Sequence, residues 1–358
     1  MNVFKILAVN PGSTSTKVSV FDDASEILSR TIRHSADELR AFSSVAEQFP
    51  FRRDLVLGAL DEAGIGLGSL SAVIGRGGLV KPIESGVYEV NEALRRDLLH
   101  APQGEHASNL GGLIAADIAS RTAGVKAYIA DPVVVDELDD VARVAGHPLF
   151  RRTSVFHALN QKAVARTYAA RSGKAYAELN LIVAHLGGGI SVGAHRARRV
   201  VDVNNALDGD GPLSPERSGT LPAGQLASLC FSGRYSEAEV RKMICGAGGL
   251  VALTGSNDVK DLLERGAQGD TRARMAVDAM VYQVAKAIGA MAAVLEGRVD
   301  AILVTGGIAY SPVVCEGIRR RTGFIAPVEV IPGEDEMRAL AENALRVLRG
   351  EQTPRIYV

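Results

Sequence analysis

The chain has 358 residues, enough for about two domains of ordinary size, and its 47% apolar and 23% charged content is that of a globular protein. Lys and Arg number 40 against 41 Asp and Glu, a formal charge of −1, which leaves no basic excess to hold nucleic acid and no acidic tail, so bulk charge names no partner, local patches aside. Cys230, Cys245 and Cys315 show neither metal-ligand spacing nor the even count of a disulfide framework. Strand-like sequence begins at Phe4, with an apolar run over residues 5–10, so no signal peptide is expected. A polar turn, Pro11-Gly-Ser-Thr-Ser-Thr16, follows, and alternation resumes over residues 17–21, which predicts strand, turn, strand. Residues 51–64 have amphipathic helical spacing, 71–75 read as a buried strand, 107–123 as a helix and 126–130 as a strand ending at Asp131-Pro132.

The same grammar restarts in the second half. Residues 180–185 are an apolar strand, Gly187-Gly188-Gly189 a turn, 190–195 extended again and 198–202 a third strand. An offset of 175 lays Asn10 over His185 and Thr16 over Ser191, a repeat of element order more than of letters. Helical spacing follows over 218–232, 237–244 and 271–295; residues 280–295 carry Lys286 and read as too short to cross a bilayer. Strands at 301–305 and 328–330 and a helix over 334–348 complete the chain. The domain boundary is expected near residues 148–153. A soluble, cytoplasmic protein with no membrane or nucleic-acid partner is expected.

A Gly/Ser/Thr turn between antiparallel strands presents backbone N–H groups and hydroxyls to an anion. In the first turn Ser13, Ser15 and Thr16 add donors, Lys17 a charge, and Asn10 an amide oxygen within reach of hydrated magnesium. An ordinary polar hairpin explains it equally well, and it is not a P-loop, since a strand rather than a helix follows. The triple glycine 187–189, with His185 at its entrance, lets backbone approach a phosphate. Thr305-Gly306-Gly307-Ile308 is a third glycine turn at a strand end, where open α/β sheets hold ligands. Gly189-Ile-Ser-Val-Gly193 also matches the GxSxG elbow of serine hydrolases, a minor alternative because extended sequence follows Ser191.

At these residues the chain resembles the butyrate kinase family. Asn10-Pro-Gly-Ser-Thr-Ser-Thr-Lys17, Gly75-Arg-Gly-Gly78, Ala130-Asp-Pro-Val-Val-Val-Asp136, Phe156-His-Ala-Leu-Asn-Gln-Lys162 and His185-Leu-Gly-Gly-Gly-Ile-Ser191 carry the likeness. Gly209-Asp-Gly-Pro212, Ser214-Pro-Glu-Arg217, Thr305-Gly-Gly-Ile-Ala-Tyr310 and Pro332-Gly-Glu-Asp-Glu336 complete it in family order. The resemblance implies a duplicated actin-like (ribonuclease H-like) α/β fold with a central nucleotide cleft. Residues 1–150 with 335–358 would form one domain and 151–334 the other. It implies reversible transfer of a phosphoryl group from ATP to a short-chain carboxylic acid, giving acyl phosphate and ADP, with Mg2+ as cofactor and a homo-oligomeric assembly.

By likeness to the more distant acetate kinases, Arg76, Asp131, His157 and Arg217 resemble the catalytic set. Asn10, Ser13, Ser15, Thr16, Lys17, His185, Gly187, Gly188 and Gly189 would meet phosphates. Ser256, Asn257, Asp258, Gly306, Gly307 and Ile308 resemble the nucleotide turns, and Asn10, Asp131 and Glu336 the magnesium set, with Glu334 the other acidic candidate. Acetate kinases carry Asn where Gly188 stands, so a side-chain contact from that position is absent here. The acceptor is a carboxylate, ionised at neutral pH with a pKa of roughly 4 to 5, so no general base is needed; two arginines would offset the repulsion between acid and triphosphate. Each residue also has a bland reading: a strand cap for Arg76, an ion pair with Glu216 for Arg217, turn chemistry for Asp131, a backbone bond for His157. A sugar kinase or an ATP-driven switch on the same fold are the rival readings.

Overall fold

The computed structural model describes residues 3–358. The alternating sequence at the N-terminus forms an antiparallel set, β1 (Lys5–Pro11), β2 (Ser15–Asp22) and β3 (Ser25–Arg33). β4 (Ala72–Arg76) runs parallel to β1, β6 (Lys126–Ala130) parallel to β4, and β5 (Val87–Glu89) antiparallel to β6. The order is β3-β2-β1-β4-β6-β5. Strands β1 and β4 are buried almost throughout, as expected of central strands covered on both faces. Helix Asn109–Ser120 crosses β4 so closely that a Cβ on Gly75 would stand 2.1 Å from Gly111 O.

The second sheet has β7 (Asn180–Leu186), β8 (Ile190–Arg196), β9 (Arg199–Val203), β10 (Ala301–Thr305) and β11 (Val328–Val330) in the order β11-β10-β7-β8-β9. An antiparallel meander continued by parallel strands thus occurs twice, so the repeat is one of topology. Its offset drifts inside the first turn. Pro11 pairs with Thr16, but Leu186 pairs with Ile190. The second turn is one residue shorter, and Ser191 corresponds in register to Lys17 rather than to Thr16.

Helix Thr271–Val294 lies against the second sheet, with Ala276, Met280, Val284 and Ile288 in one core with Ile182, Val192 and Val304. Its 24 residues span about 36 Å, so the whole helix, unlike the stretch 280–295 taken alone, is long and apolar enough to cross a membrane. Packing on the sheet accounts for its apolar face. The helix expected over 218–232 is confined to Ala223–Cys230, because Pro222 restricts the residue before it and lacks an N–H.

Contacts divide the chain into two units, one running to Val135 and including Asp335–Val358, the other Asp136–Glu334. The division falls earlier than residues 148–153. Segment 136–150 is bonded into the second unit: Asp139 N–H donates to Val201 O at 2.9 Å, and Lys162 Nζ is 2.6 Å from Glu137 Oε2.

Candidate active site

In the first unit, the turn after β1 is built on an arginine that the sequence reading passed over. Arg52, on helix Phe49–Glu62, is fully buried. Its Nη1 donates to Gly12 O (2.7 Å), Ser15 O (3.1 Å) and Thr16 Oγ1 (3.2 Å). Its Nη2 donates to Ser13 O (3.2 Å), and the side chain is completed by Gln48 Oε1. Carbonyls are thereby drawn inward. Ser13 and Lys17 are exposed and Ser15 half-buried. Thr16 differs: it is buried, and its hydroxyl is used by Arg52 and by His34 Nε2 at 2.9 Å. It braces the turn from inside rather than offering a donor outward.

Asn10, Arg76 and Glu336 come together. Arg76 Nη1 lies 2.8 Å from Glu336 Oε1 and donates to Oε2 at 2.9 Å, while Asn10 Nδ2 donates to Oε2 at 2.6 Å. The Asn10 Oδ1 that remains is buried and accepts no hydrogen bond. An orphaned amide oxygen beside a carboxylate is hard-donor chemistry of the kind magnesium takes, usually through one or two carboxylates, waters and phosphate. The residues therefore fit that ion, although no group of three or more His, Cys, Asp or Glu side chains converges among the described residues. Asp131, following β6, exchanges two hydrogen bonds with Gly86, N–H to O at 3.1 Å and Gly86 N–H to Oδ1 at 2.8 Å. Its φ of +39° is a left-handed conformation costly for a residue with a Cβ, and such strain gathers at functional positions. Glu334, the other acidic candidate, belongs to the second unit.

In the second unit, the turn between β7 and β8 is the centre. His185 Nδ1 donates to Asn160 Oδ1 at 2.7 Å, because the Asn160 amide nitrogen is itself a donor to Gly333 O. His185 Nε2 is buried, 3.1 Å from Glu334 Oε1 but out of line for a hydrogen bond. His157, at the N-cap of helix Ala158–Ser172, stacks on His185 with ring centroids 3.8 Å apart. Arg217 lies flat on the turn: a Cβ on Gly189 would be 1.7 Å from its Nη1. That nitrogen donates to Ala206 O at 2.9 Å. The Glu216 carboxylate goes instead to Asn257 Nδ2 at 2.7 Å. Among the described residues Arg217 has no carboxylate partner, so the ion-pair reading with Glu216 fails. Gly188 is exposed, its carbonyl clamped by Ser214 Oγ at 2.8 Å.

Beside this turn is a cavity of about 740 Å³, within the usual range of small-molecule sites. Gly187, Gly188, Asn257, Asp258, Gly307 and Ile308 line it, so expected nucleotide residues from separate turns meet there. Gly306 and Ser256 are not on the wall. Gly306 is buried and bridged to Gly333 by main-chain bonds in both directions. The Ser256 hydroxyl accepts from Asp258 N–H at 3.2 Å and shapes the turn before helix Val259–Ala267. Ser191 sits inside β8, fully buried. A strand rather than a helix follows the turn, so the hydrolase elbow is absent.

Residues 144–321 match the family described as Acetokinase. The chain is 55% identical over 354 residues to Butyrate kinase 2 of Clostridium acetobutylicum, covering 99% of both chains. It is 53% identical over 353 residues to a probable butyrate kinase of Bacteroides thetaiotaomicron, again over 99% of both. In fold it is similar to the acetate kinase of Porphyromonas gingivalis, with a TM-score of 0.78 and 19% identity over 96% of this chain and 100% of that one.

Proposed function

The chain belongs to the butyrate kinases of the acetokinase family, and from that membership we propose that it reversibly phosphorylates butyrate or a branched relative with ATP, giving the acyl phosphate and ADP. A carboxylate oxygen forms a bond to the γ-phosphorus as the bond from that phosphorus to the β–γ bridging oxygen breaks. The electron pair leaves with ADP and no proton is transferred. The observation that carries this reading is Arg217, a guanidinium laid on Gly189 without a carboxylate of its own. It is suited to the equatorial oxygens of a transferring phosphoryl group.

The cavity beside Gly187 and Gly188 supports assigning the nucleotide to the second unit, with Asn257, Asp258, Gly307 and Ile308 around it. Arg76 uses only Nη1 on Glu336, leaving Nη2 and Nε to hold the substrate carboxylate. Ser13, Ser15 and Lys17 present donors and charge to phosphate, and His157 donates to the phosphoryl group in the transition state. Asn10 and Glu336, with Asp131, would hold magnesium, which when bound neutralises phosphate charge. The enzyme is read as cytoplasmic, where its nucleotide is supplied. It is also read as homo-oligomeric: helix Ala223–Cys230 buries none of its residues and Phe231 beside it is 92% exposed.

Trapping of acyl phosphate as hydroxamate, run with C2 to C5 acids and with glucose, tests the reaction. Hydroxamate with its maximum near C4 is expected. ADP release with glucose and no hydroxamate with any acid would overturn it. One added or missing methylene discriminates by only about 1–3 kcal/mol, so neighbouring acids should react more slowly rather than not at all. Light scattering on a sizing column reads the assembly; a monomer at micromolar concentration removes that part.

A further inference from the structure

The hydroxyl of Ser191 serves no step in the proposed reaction, yet it joins a chain of buried side chains that ends at His157. One point fixes the direction of the bonds. The Gln161 amide nitrogen lies 3.1 Å from Ser191 O, and a carbonyl only accepts, so this is the NH2 end of the amide. Its second proton goes to Ser191 Oγ at 2.9 Å. Gln161 Oε1 is therefore an acceptor, and His195 Nε2, 2.9 Å away, donates to it. Burial pushes the imidazole of His195 down to about 3, with the Lys162 ammonium adding to the effect. The ring is neutral, its Nδ1 accepts, and the Tyr176 hydroxyl donates to it at 2.6 Å.

The other direction follows from the same point. Ser191 Oγ receives the Gln161 proton and, at 3.4 Å, the backbone N–H of His157. Those donors occupy both lone pairs. The hydroxyl proton is left for the third neighbour, His157 Nδ1 at 2.9 Å. We infer that Ser191 and Gln161 are positioning residues that hold His157 as the neutral tautomer with its proton on Nε2. Stacking on His185, 11° from parallel, fixes the plane of the same ring. The tautomer is the one that can donate through Nε2 to a phosphoryl oxygen, and to that extent the inference rests on the proposed role of His157. It also accounts for the serine of the GxSxG sequence: a strand residue whose hydroxyl points into the unit and orients an imidazole.

The test is the tautomer itself, read in the intact enzyme labelled with 15N-histidine by long-range proton–nitrogen correlation at about pH 8, above the ordinary imidazole pKa of ~6.5. Loss of one signal set in His157→Asn assigns the ring. The wild-type spectrum should show a bare Nδ1 and a protonated Nε2; a protonated Nδ1 overturns the inference without any variant having to fold. In Ser191→Ala and Gln161→Met, checked for fold by circular dichroism, both nitrogens should move to exchange-averaged positions. Turnover should fall about 10-fold, with KM for nucleotide and acid little changed, since the group acts in the transition state. Unchanged tautomer and unchanged kcat in both folded variants overturn the positioning role. A shifted tautomer with wild-type kcat supports the bonding chain and overturns His157 as the donor.

Discussion

At Gly189 the absence of one carbon makes room for a charge. The Arg217 guanidinium occupies the volume a Cβ would need, so the glycine and the arginine act as one feature. Arg217→Ala should lower kcat by on the order of 10² or more, as for loss of a transition-state contact. Gly189→Ala should come close to it by displacing the guanidinium; wild-type kcat in either folded variant would remove Arg217 from the reaction. Arg52 makes the opposite case, a charge turned inward with main-chain carbonyls as its partners. Burial lowers the pKa of its guanidinium, yet an arginine stays protonated in a protein. Arg52→Met leaves buried carbonyls unpaired at about 1–3 kcal/mol each. A loss of roughly 3 kcal/mol in urea unfolding is expected, with weaker nucleotide binding by titration. Sequence spacing marked the helix that bears Arg52 but not its target 36 to 40 positions earlier, because main-chain carbonyls leave no trace in a residue pattern.

Among the elements, the strands were legible and the turns only in part. Residues 126–130 and 301–305 read as strands from their apolar runs, 328–330 was expected as a final strand, and all three are strands at those bounds. β3 and β5 escaped notice, the first being mostly exposed on an outer strand and the second three residues long. The contact of helix Asn109–Ser120 with β4 shows what Gly75-Arg-Gly-Gly78 does: small residues admit the helix and so aim Arg76. Gly75→Ala would drive a methyl into main-chain atoms that cannot swing away. Overpacking costs typically 1–3 kcal/mol, and a fall in Tm of several degrees with diminished acid binding is expected. An unchanged Tm would mean the helix can move aside.

For the whole molecule, the meander-plus-parallel sheet occurring twice is the duplicated actin-like fold that the motifs implied. Its buried polar groups make stability depend on pH. His195 is held neutral at pH values where an unfolded chain's imidazole, with a pKa near 6.5, takes a proton. The unfolded state then binds more protons, so stability is fully present above pH ~6.5. It declines as pH falls toward about 3, by up to ~1.4 kcal/mol per pH unit from this group. Burial depresses His34 in the same direction. Urea midpoints at pH 7.5 and about 5.5 check this; His195→Gln should flatten the decline, and an equally steep one would exclude His195 as its source.

Sequence alone determined the family, the three glycine turns and the apolar strands leading into them. These are local properties, written in runs of a few residues and their order. Tertiary structure alone decided which way each side chain of those turns faces. Thr16 is drawn in by Arg52 and His34 while Lys17 beside it points out, and the Ser191 hydroxyl lies against His157 Nδ1. The reason is physical: a buried hydroxyl or amide must find its partner in space, and here those partners come from distant stretches of the chain.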